Sequence, residues 1–325
     1  MSLRKALDLV GLSRSTWHYR QHPRARVTQP IRHADRAYRN RISPQEKDQI
    51  LDLIRPGFAA GRSVYALWFD ALDAGDPIAS MKTWYRLAAS HVESERPARP
   101  RRRRRATAMP QFEATRPNQV WCWDITKLPG KYHGQWLNFY VVIDAFSRMI
   151  VGWRVEHREN DDLARDMFNK AFASQGACPE IVHSDGGPSM MSDTLADLYQ
   201  QLGITRSRNR PRVSNDNPYS ESWFKTAKYQ PAYPKWFRDL EHARAWADTV
   251  VSSYNTNHRH TALEGHTPQS IHDGTWIAIH HQRQSVLNTL AAKHPERYRS
   301  QPQLKSPYAA VRLNLPKPEH RLQTG

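Results

Sequence analysis

Through residue 89 the apolar positions recur three and four apart, the period of helices packed on one face. Leu3, Ala6, Leu7 and Val10 predict a first helix that ends at Gly11. Ser13 caps a second, which carries Thr16, Trp17 and Tyr19. Residues 43–54 predict a third. There Ser43 is followed by Pro44 at the first helical position and Glu46 three places on, a capping box. Val64, Leu67, Trp68 and Leu72 line a fourth over 63–74, stopped by Gly75 and Pro77, and Ser80 opens a fifth to about Ala89.

From residue 119 the period changes. Gln119–Thr126, Trp136–Asp144 and Met149–Val155 read as three strands, and their short joints predict antiparallel pairing. A helix follows over 161–174, then a short buried strand over 180–185 and a helix over 192–202 ended by Gly203. A fifth strand over 204–207 leads through a basic, turn-rich loop to a helix that starts at Pro218 and runs to about Tyr229. The order is βββαβαβα, which predicts a mixed five-stranded sheet with helices on it, preceded by an all-α region. A further helix over 276–292 and a short strand over 310–314 are expected near the end.

Charge divides the chain along the same lines. Residues 1–118 hold 23 basic and 11 acidic side chains, residues 119–275 hold 17 and 18, and residues 276–325 hold 8 and 2. The whole carries +17. Basic flanks around a neutral middle predict polyanion affinity in the flanks and other chemistry between them. The densest run, Arg96–Arg105, places seven arginines in ten residues, among them Arg101, Arg102, Arg103, Arg104 and Arg105. Such a run reads as a solvated linker, and counterion release makes it a phosphate contact as well. The expected organisation is a helix-turn-helix segment over 1–40, a second over 41–95, the linker over 96–115, a core over 116–275 and a basic extension over 276–325. No apolar run is long enough to cross a membrane, and no secretory leader is evident, so a cytoplasmic, nucleoid-associated protein is expected. Cys122 and Cys178 cannot make a disulfide framework.

A five-residue pattern recurs in the helical region. Ser13-Arg14-Ser15-Thr16-Trp17 and Ser80-Met81-Lys82-Thr83-Trp84 share Ser-x-x-Thr-Trp, each after a glycine turn and an earlier helix. That is the logic of a helix-turn-helix, whose second helix meets base edges with its first residues. Arg14, Lys82 and Thr83 are the expected contacts. Any small helical domain also shows capped helices and a buried tryptophan, and the basic charge favours the DNA-binding reading.

In the core, three acids stand out. Alternation sets Cys122, Asp124 and Thr126 on one face of the first strand and Trp121, Trp123 and Ile125 on the other. Asp185 ends the fourth strand before Gly186-Gly187, and Glu221 lies in the first turn of the last core helix. An acid inside an aromatic strand needs a partner or a cation, because burying it alone costs several kcal/mol or so. Oxygen-only ligands suit Mg²⁺, with Mn²⁺ as a substitute. Two ions about 4 Å apart clamp both oxygens of an in-line phosphoryl displacement. Lys225 and Lys228 follow Glu221 on the same helix face, and Arg206, Arg208, Arg210 and Arg212 alternate just before it. The lysine face reads as a phosphate contact or as an ordinary solvated Glu–Lys face, and the arginine row as phosphate-attracting. Asp144, Asp193 and Asp216 are rival acids, Asp144 more simply as the organiser of the turn at Ser147 and Arg148. His183 suits packing or support of Asp185. The spacing of His258, His260, His266 and His272 matches no metal motif, and Cys122 reads as a small core residue.

Four motifs in order carry a resemblance. They are Trp123-Asp124-Ile125-Thr126; Val142-Ile143-Asp144-Ala145-Phe146-Ser147-Arg148 with Ile150-Val151-Gly152-Trp153; His183-Ser184-Asp185-Gly186; and Ser214 to Thr226 (SNDNPYSESWFKT). With Tyr254-Asn255, Arg259-His260 and Thr267-Pro268, they resemble bacterial insertion-sequence transposases with a retroviral-integrase-type core, over about residues 116–272. Asp185 and Glu221 are separated by 35 residues, the spacing such cores use. The resemblance implies a ribonuclease H-like fold and a catalytic, Mg²⁺-holding triad of Asp124, Asp185 and Glu221. It also implies a DNA-contacting lysine at Lys228, double-stranded DNA as partner and at least a dimer. One local departure is Gly186-Gly187-Pro188-Ser189-Met190, where many relatives have Arg-Gly and Ser-Gln-Tyr, so no contact is carried over from that loop. The zinc domain of retroviral integrases has no counterpart in this sequence. The expected activity is Mg²⁺-dependent DNA cleavage and strand transfer. A silent DNA-binding regulator and a plain nuclease are the alternatives.

Overall fold

The computed structural model describes residues 2–22, 38, 41–91, 112–209, 217–307 and 309–313. Arg101 to Arg105, Arg210, Arg212 and Asp216 lie outside the described residues. The chain divides into two compact units, Met1–Arg41 and Ile42–Gly325.

The first unit holds α1 (Leu3–Leu9) and α2 (Arg14–Gln21). Each starts on a serine: the Ser2 side chain accepts from Lys5 N and that of Ser13 from Thr16 N. Gly11, at φ +64°, supplies the left-handed turn between them.

The second unit begins with α3 (Pro44–Ala59), α4 (Val64–Asp73) and α5 (Met81–His91). The capping box at the start of α3 forms in both directions, Ser43 N to Glu46 Oε2 at 2.7 Å and Glu46 N to Ser43 Oγ at 3.1 Å. Ile50, Ile54, Leu67, Leu72, Trp84 and Leu87 bury the shared face. Its lid comes from far along the chain. Leu287 of α11 (Trp276–Lys293) completes this core, and Arg297 pairs with Glu46 at the start of α3.

The central sheet comprises β2 (Val120–Pro129), β3 (Trp136–Asp144), β4 (Ile150–Glu156), β5 (Ile181–Ser184) and β6 (Thr205–Arg208), in the order β4-β3-β2-β5-β6. The first three strands are antiparallel, whereas β5 and β6 run parallel to β2. Helices α6 (Asp161–Gln175) and α7 (Asp193–Gln201) supply the crossovers. One face packs Trp121, Trp123 and Tyr140 against Phe168 and Tyr199. The other packs Phe139 and Val141 against α8 (Pro218–Lys228) and α9 (Leu240–Asn257), through Trp223, Phe224, Val250 and Tyr254. This is the ribonuclease H-like arrangement, entered from an all-α region. The helix α10 (Pro268–His272) follows, and a two-stranded ribbon joins β1 (Phe112–Ala114) to β7 (Val311–Leu313).

The strands differ from expectation at their ends. β2 extends to Pro129, three residues beyond the predicted limit, because Lys127, Leu128 and Pro129 continue the antiparallel ladder with β3. Arg208 closes β6 opposite Ser184 and is not part of the loop.

Candidate active site

Sheet register brings the first two acids together. Trp123 of β2 lies opposite Ser184 of β5, the last paired position of that parallel ladder. One step further, Asp124 and Asp185 stand side by side where the strands open. Parallel sheets present ligand sites at the carboxyl ends of their strands. Asp124 Oδ1 accepts from Ile125 N at 2.7 Å, and Asp185 Oδ1 accepts from Gly187 N at 3.1 Å. The second bond folds the Gly186-Gly187 turn back on the carboxylate.

Helix α8 brings the third acid. Its cap, Asn217, is buried and serves two elements at once. Its side-chain oxygen accepts from Ser220 N, while Nδ2 donates to the carbonyl of Trp123 at 3.1 Å. The helix carrying Glu221 is thus tied to the backbone immediately before Asp124. At the far end of α8, Lys228 Nζ donates to Thr126 Oγ1 at 2.7 Å and to the Lys127 carbonyl at 3.0 Å. Two clamps therefore hold α8 along β2, one on each side of Asp124. Lys225 pairs with Glu221 at 3.6 Å and is largely exposed.

The electrostatics follow from this placement. Burial pushes the Asp124 carboxyl up to about 7, and the charges of Asp185, Glu221 and Glu159 add to the rise against the Ile125 N–H. Burial lowers the Lys228 ammonium, with Asp124 opposing the fall. Glu159 is an acid that the sequence reading missed. It precedes the Asn160 cap of α6 and accepts from Ser189 N at 3.4 Å, in the loop after Asp185. Only the three-dimensional return of that loop could reveal it.

A divalent cation fits this edge by donor chemistry. The donors are carboxylate oxygens, burial and the neighbouring acids raise the proton affinity of Asp124, and a hard cation would replace the proton it tends to hold. Among the described residues, no three such side chains are gathered closely enough to enclose an ion. The carboxylates are neighbours along one edge and not a closed nest.

The remaining candidates separate by their partners. Asp144 is fully buried and accepts from Asn118 N, Ser147 N and Ser147 Oγ at 2.8, 2.7 and 2.7 Å. Ser147 Oγ also meets His272 Nδ1 at 2.9 Å. Asp144 thus orders the β3–β4 turn. In that turn Arg148 adopts φ +65° and lays its guanidinium 4.0 Å over the ring of Tyr219, two residues before Glu221. Arg148 and Asn217 both contact the start of α8, contacts that sequence spacing does not expose. His183 is buried, bonded to Ser207 Oγ at 3.0 Å and packed near Phe112, which supports packing. Cys122 is buried, and burial pushes its thiol up.

Among the expected DNA contacts, Arg14 is exposed in the first turn of α2, and Lys82 is exposed with Thr83 half-buried in that of α5. Arg208 is exposed on the edge strand. Arg206 instead donates to the Met190 carbonyl at 2.8 Å, buttressing the loop after Asp185.

Residues 114–214 match the integrase core domain family, and residues 202–268 match a second description of the integrase core domain. These matches agree with the ribonuclease H-like strand order: residues 114–268 are similar to integrase core domains. Curated insertion-sequence transposases are among the proteins to which the chain is similar. It is 34% identical over 160 residues to the transposase for insertion sequence element IS904 of Lactococcus lactis, covering 49% of this chain and 62% of that protein. It is 32% identical over 161 residues to transposase InsF for insertion sequence IS3fB of Escherichia coli, covering 49% and 55%. The chain thus spans little more than half the length of these relatives. A solved structure, the catalytic core domain of BIV integrase, shares 19% identity over 50% of this chain and 98% of that one, at a TM-score of 0.39. Among the described residues, no helix is long and apolar enough to cross a membrane.

Proposed function

We propose that this protein is a DNA transposase that cleaves DNA strands and joins them to new sites, with Asp124, Asp185 and Glu221 as catalytic residues. The observation that carries the reading is the edge where Asp124 and Asp185 each follow the last paired residue of the β2–β5 ladder and the Asp185 and Glu221 charges act on Asp124. The three carboxylates would hold Mg²⁺, as two ions, with Mn²⁺ as a substitute. A bound divalent ion supplies charge neutralisation at the reacting phosphate and a more acidic water.

The chain's own residues position the reaction. Asn217 and Lys228 fix α8 against β2, so Glu221 is held beside Asp124. Asp185 is oriented by Gly187 N. In cleavage, a water oxygen bonds to phosphorus as the bond to the 3′-oxygen breaks. That oxygen keeps the electron pair and ends protonated as a 3′-OH, and the water's proton passes to solvent. In joining, the 3′-OH takes the place of water at a second phosphodiester. Each step exchanges one P–O bond for another, so no covalent protein–DNA intermediate is needed.

The helical region supports a DNA-binding role through Arg14, Lys82 and Thr83, in segments 1–40 and 41–95. The arginine linker over 96–115, with Arg101 to Arg105, adds phosphate contacts. Arg208, Arg210, Arg212, Lys225 and Lys228 would line the strand near the acids. Uniting two element ends calls for at least a dimer.

The test is a gel-resolved assay of labelled element-end DNA with Mg²⁺. The parent yields cleaved and joined strands, and Asp124→Asn loses both by about a thousandfold or more while still binding DNA. Unchanged cleavage in Asp124→Asn overturns the assignment. Cleaved strands that never join identify a nuclease, and DNA binding without either product identifies a regulator.

A further inference from the structure

A cleft of about 960 Å³ opens beside α8, between the core and the helical layer that precedes it. Its volume is at the upper end of ligand pockets, roughly 300–1,000 Å³. One wall is the outer stripe of α8, where Ser222, Lys225, Thr226 and Tyr229 recur at helical spacing. The opposite wall is the start of α4 with Arg62 and Tyr65, joined by Tyr85 of α5. The walls meet at Gly61, whose φ is +72°. A Cβ there would lie 2.5 Å from Pro231 Cδ, so only glycine allows the approach.

Three features of the cleft point to its occupant. Among the described residues that line it, none carries a carboxylate, whereas Arg62, Lys225 and Arg259 bring cations. Asp70 holds both arginines from behind the wall, which fixes the guanidinium groups. Next, aromatic rings stand on both sides. Tyr85 is 44% and Tyr229 66% exposed, and neither ring packs on another ring among the described residues. Finally, Lys225 belongs to two places at once: it pairs with Glu221 and lines the cleft. The cleft therefore begins one helical turn from the proposed catalytic edge.

Each of these cations has an acid partner outside the lining, Asp70 for the two arginines and Glu221 for Lys225. The faces turned to the cleft suit a phosphodiester backbone, while exposed rings on facing walls take bases that are not paired to a second strand. Bases inside a duplex are already stacked and offer no face to a tyrosine. We infer that this cleft is a binding track for unpaired DNA next to the scissile phosphate, with Tyr85 and Tyr229 stacking on bases and Lys225 and Arg62 facing phosphates. The inference rests on the transposase reading for the DNA that occupies it, and its location is independent of the chemistry. It gives the enzyme a place to hold a frayed strand end while the reaction proceeds one turn away.

The experiment uses the full chain in EDTA, so that no cleavage occurs and its outcome does not depend on activity. A short oligothymidylate and a duplex of mixed sequence are titrated by fluorescence anisotropy against the parent and the double variants Y85A/Y229A and Y85F/Y229F. Both tyrosines are on the surface, and far-ultraviolet circular dichroism verifies the fold. Y85A/Y229A is expected to weaken single-strand binding about tenfold or more, with duplex affinity within about twofold. Y85F/Y229F, which keeps the rings, retains parental affinity. An oligothymidylate carrying 4-thiothymidine should crosslink on irradiation to peptides that contain Tyr85 or Tyr229. Unchanged single-strand affinity in Y85A/Y229A, an equal loss for duplex, or crosslinks confined to other surfaces would each overturn the proposal. Loss of cleavage in Asp124→Asn bears on the catalytic assignment alone.

Discussion

Asp124 and Asp144 sit on adjacent strands of one sheet, and both are raised above the ordinary carboxylate range by burial. What stands around them differs. Asp144 faces donors: two backbone N–H groups, a serine hydroxyl and, beyond it, an imidazole. Asp124 has one backbone donor, the Lys228 ammonium further along the strand, and then three acids, Asp185, Glu221 and Glu159. A buried acid ringed by donors is part of the scaffold, because both oxygens are hydrogen-bonded and the charge is answered locally. A buried acid ringed by other acids is unstable by itself, and something positive must arrive to relieve it.

The largest effect that tests this contrast is on stability. Asp144→Ala strands the Ser147 hydroxyl and two N–H groups, and about 3–5 kcal/mol of folding free energy is expected to go with them. Asp124→Asn is expected to leave the melting temperature equal or slightly higher, because it removes a repelled charge. Thermal unfolding of both variants decides this, and a large loss in Asp124→Asn would erase the distinction. A middle-sized effect concerns ions. Mg²⁺ or Mn²⁺ at about a hundred times its dissociation constant should stabilise the parent by about 2.7 kcal/mol. Asp124→Asn should respond much less, and Asp144→Ala should respond as the parent does where it folds. An equal rise in Asp124→Asn would show that the ions act elsewhere. The smallest effect is at Lys228. Replacing it by Ala should lower the salt slope of DNA binding by about 0.9, one phosphate contact. An unchanged slope would leave Lys228 as the clamp between α8 and Thr126 and nothing more.

Much of this contrast could be read before any coordinates. Alternation along 119–126 separates Asp124 from Trp121 and Trp123, and the sheet places those residues on opposite faces. The turn-ordering role of Asp144 follows from its place before Ser147. The cap at Asn217 was visible only as part of a motif, since its second bond, to Trp123, crosses 94 positions of sequence. Glu159, and the contact of Arg148 with Tyr219, were hidden for the same reason: local periodicity says which face a residue takes, not what comes to meet it. The C-terminal helix was legible as a helix, yet its partner was not. Arg283 is almost fully buried, bonded to Asp73 at 2.6 Å and set 4.6 Å over Phe69, contacts that cross some two hundred positions of sequence. Long-range pairing also hid the ribbon between β1 and β7, nearly two hundred residues apart.

The late arrival of Leu287 and Arg283 has a consequence for synthesis on the ribosome. Helices α3 to α5 leave the exit tunnel early but stay without one wall until α11 emerges. The central sheet, whose strands all precede α11, has no such wait. Translation halted between the two releases a chain with a complete central sheet and an unfinished helical layer.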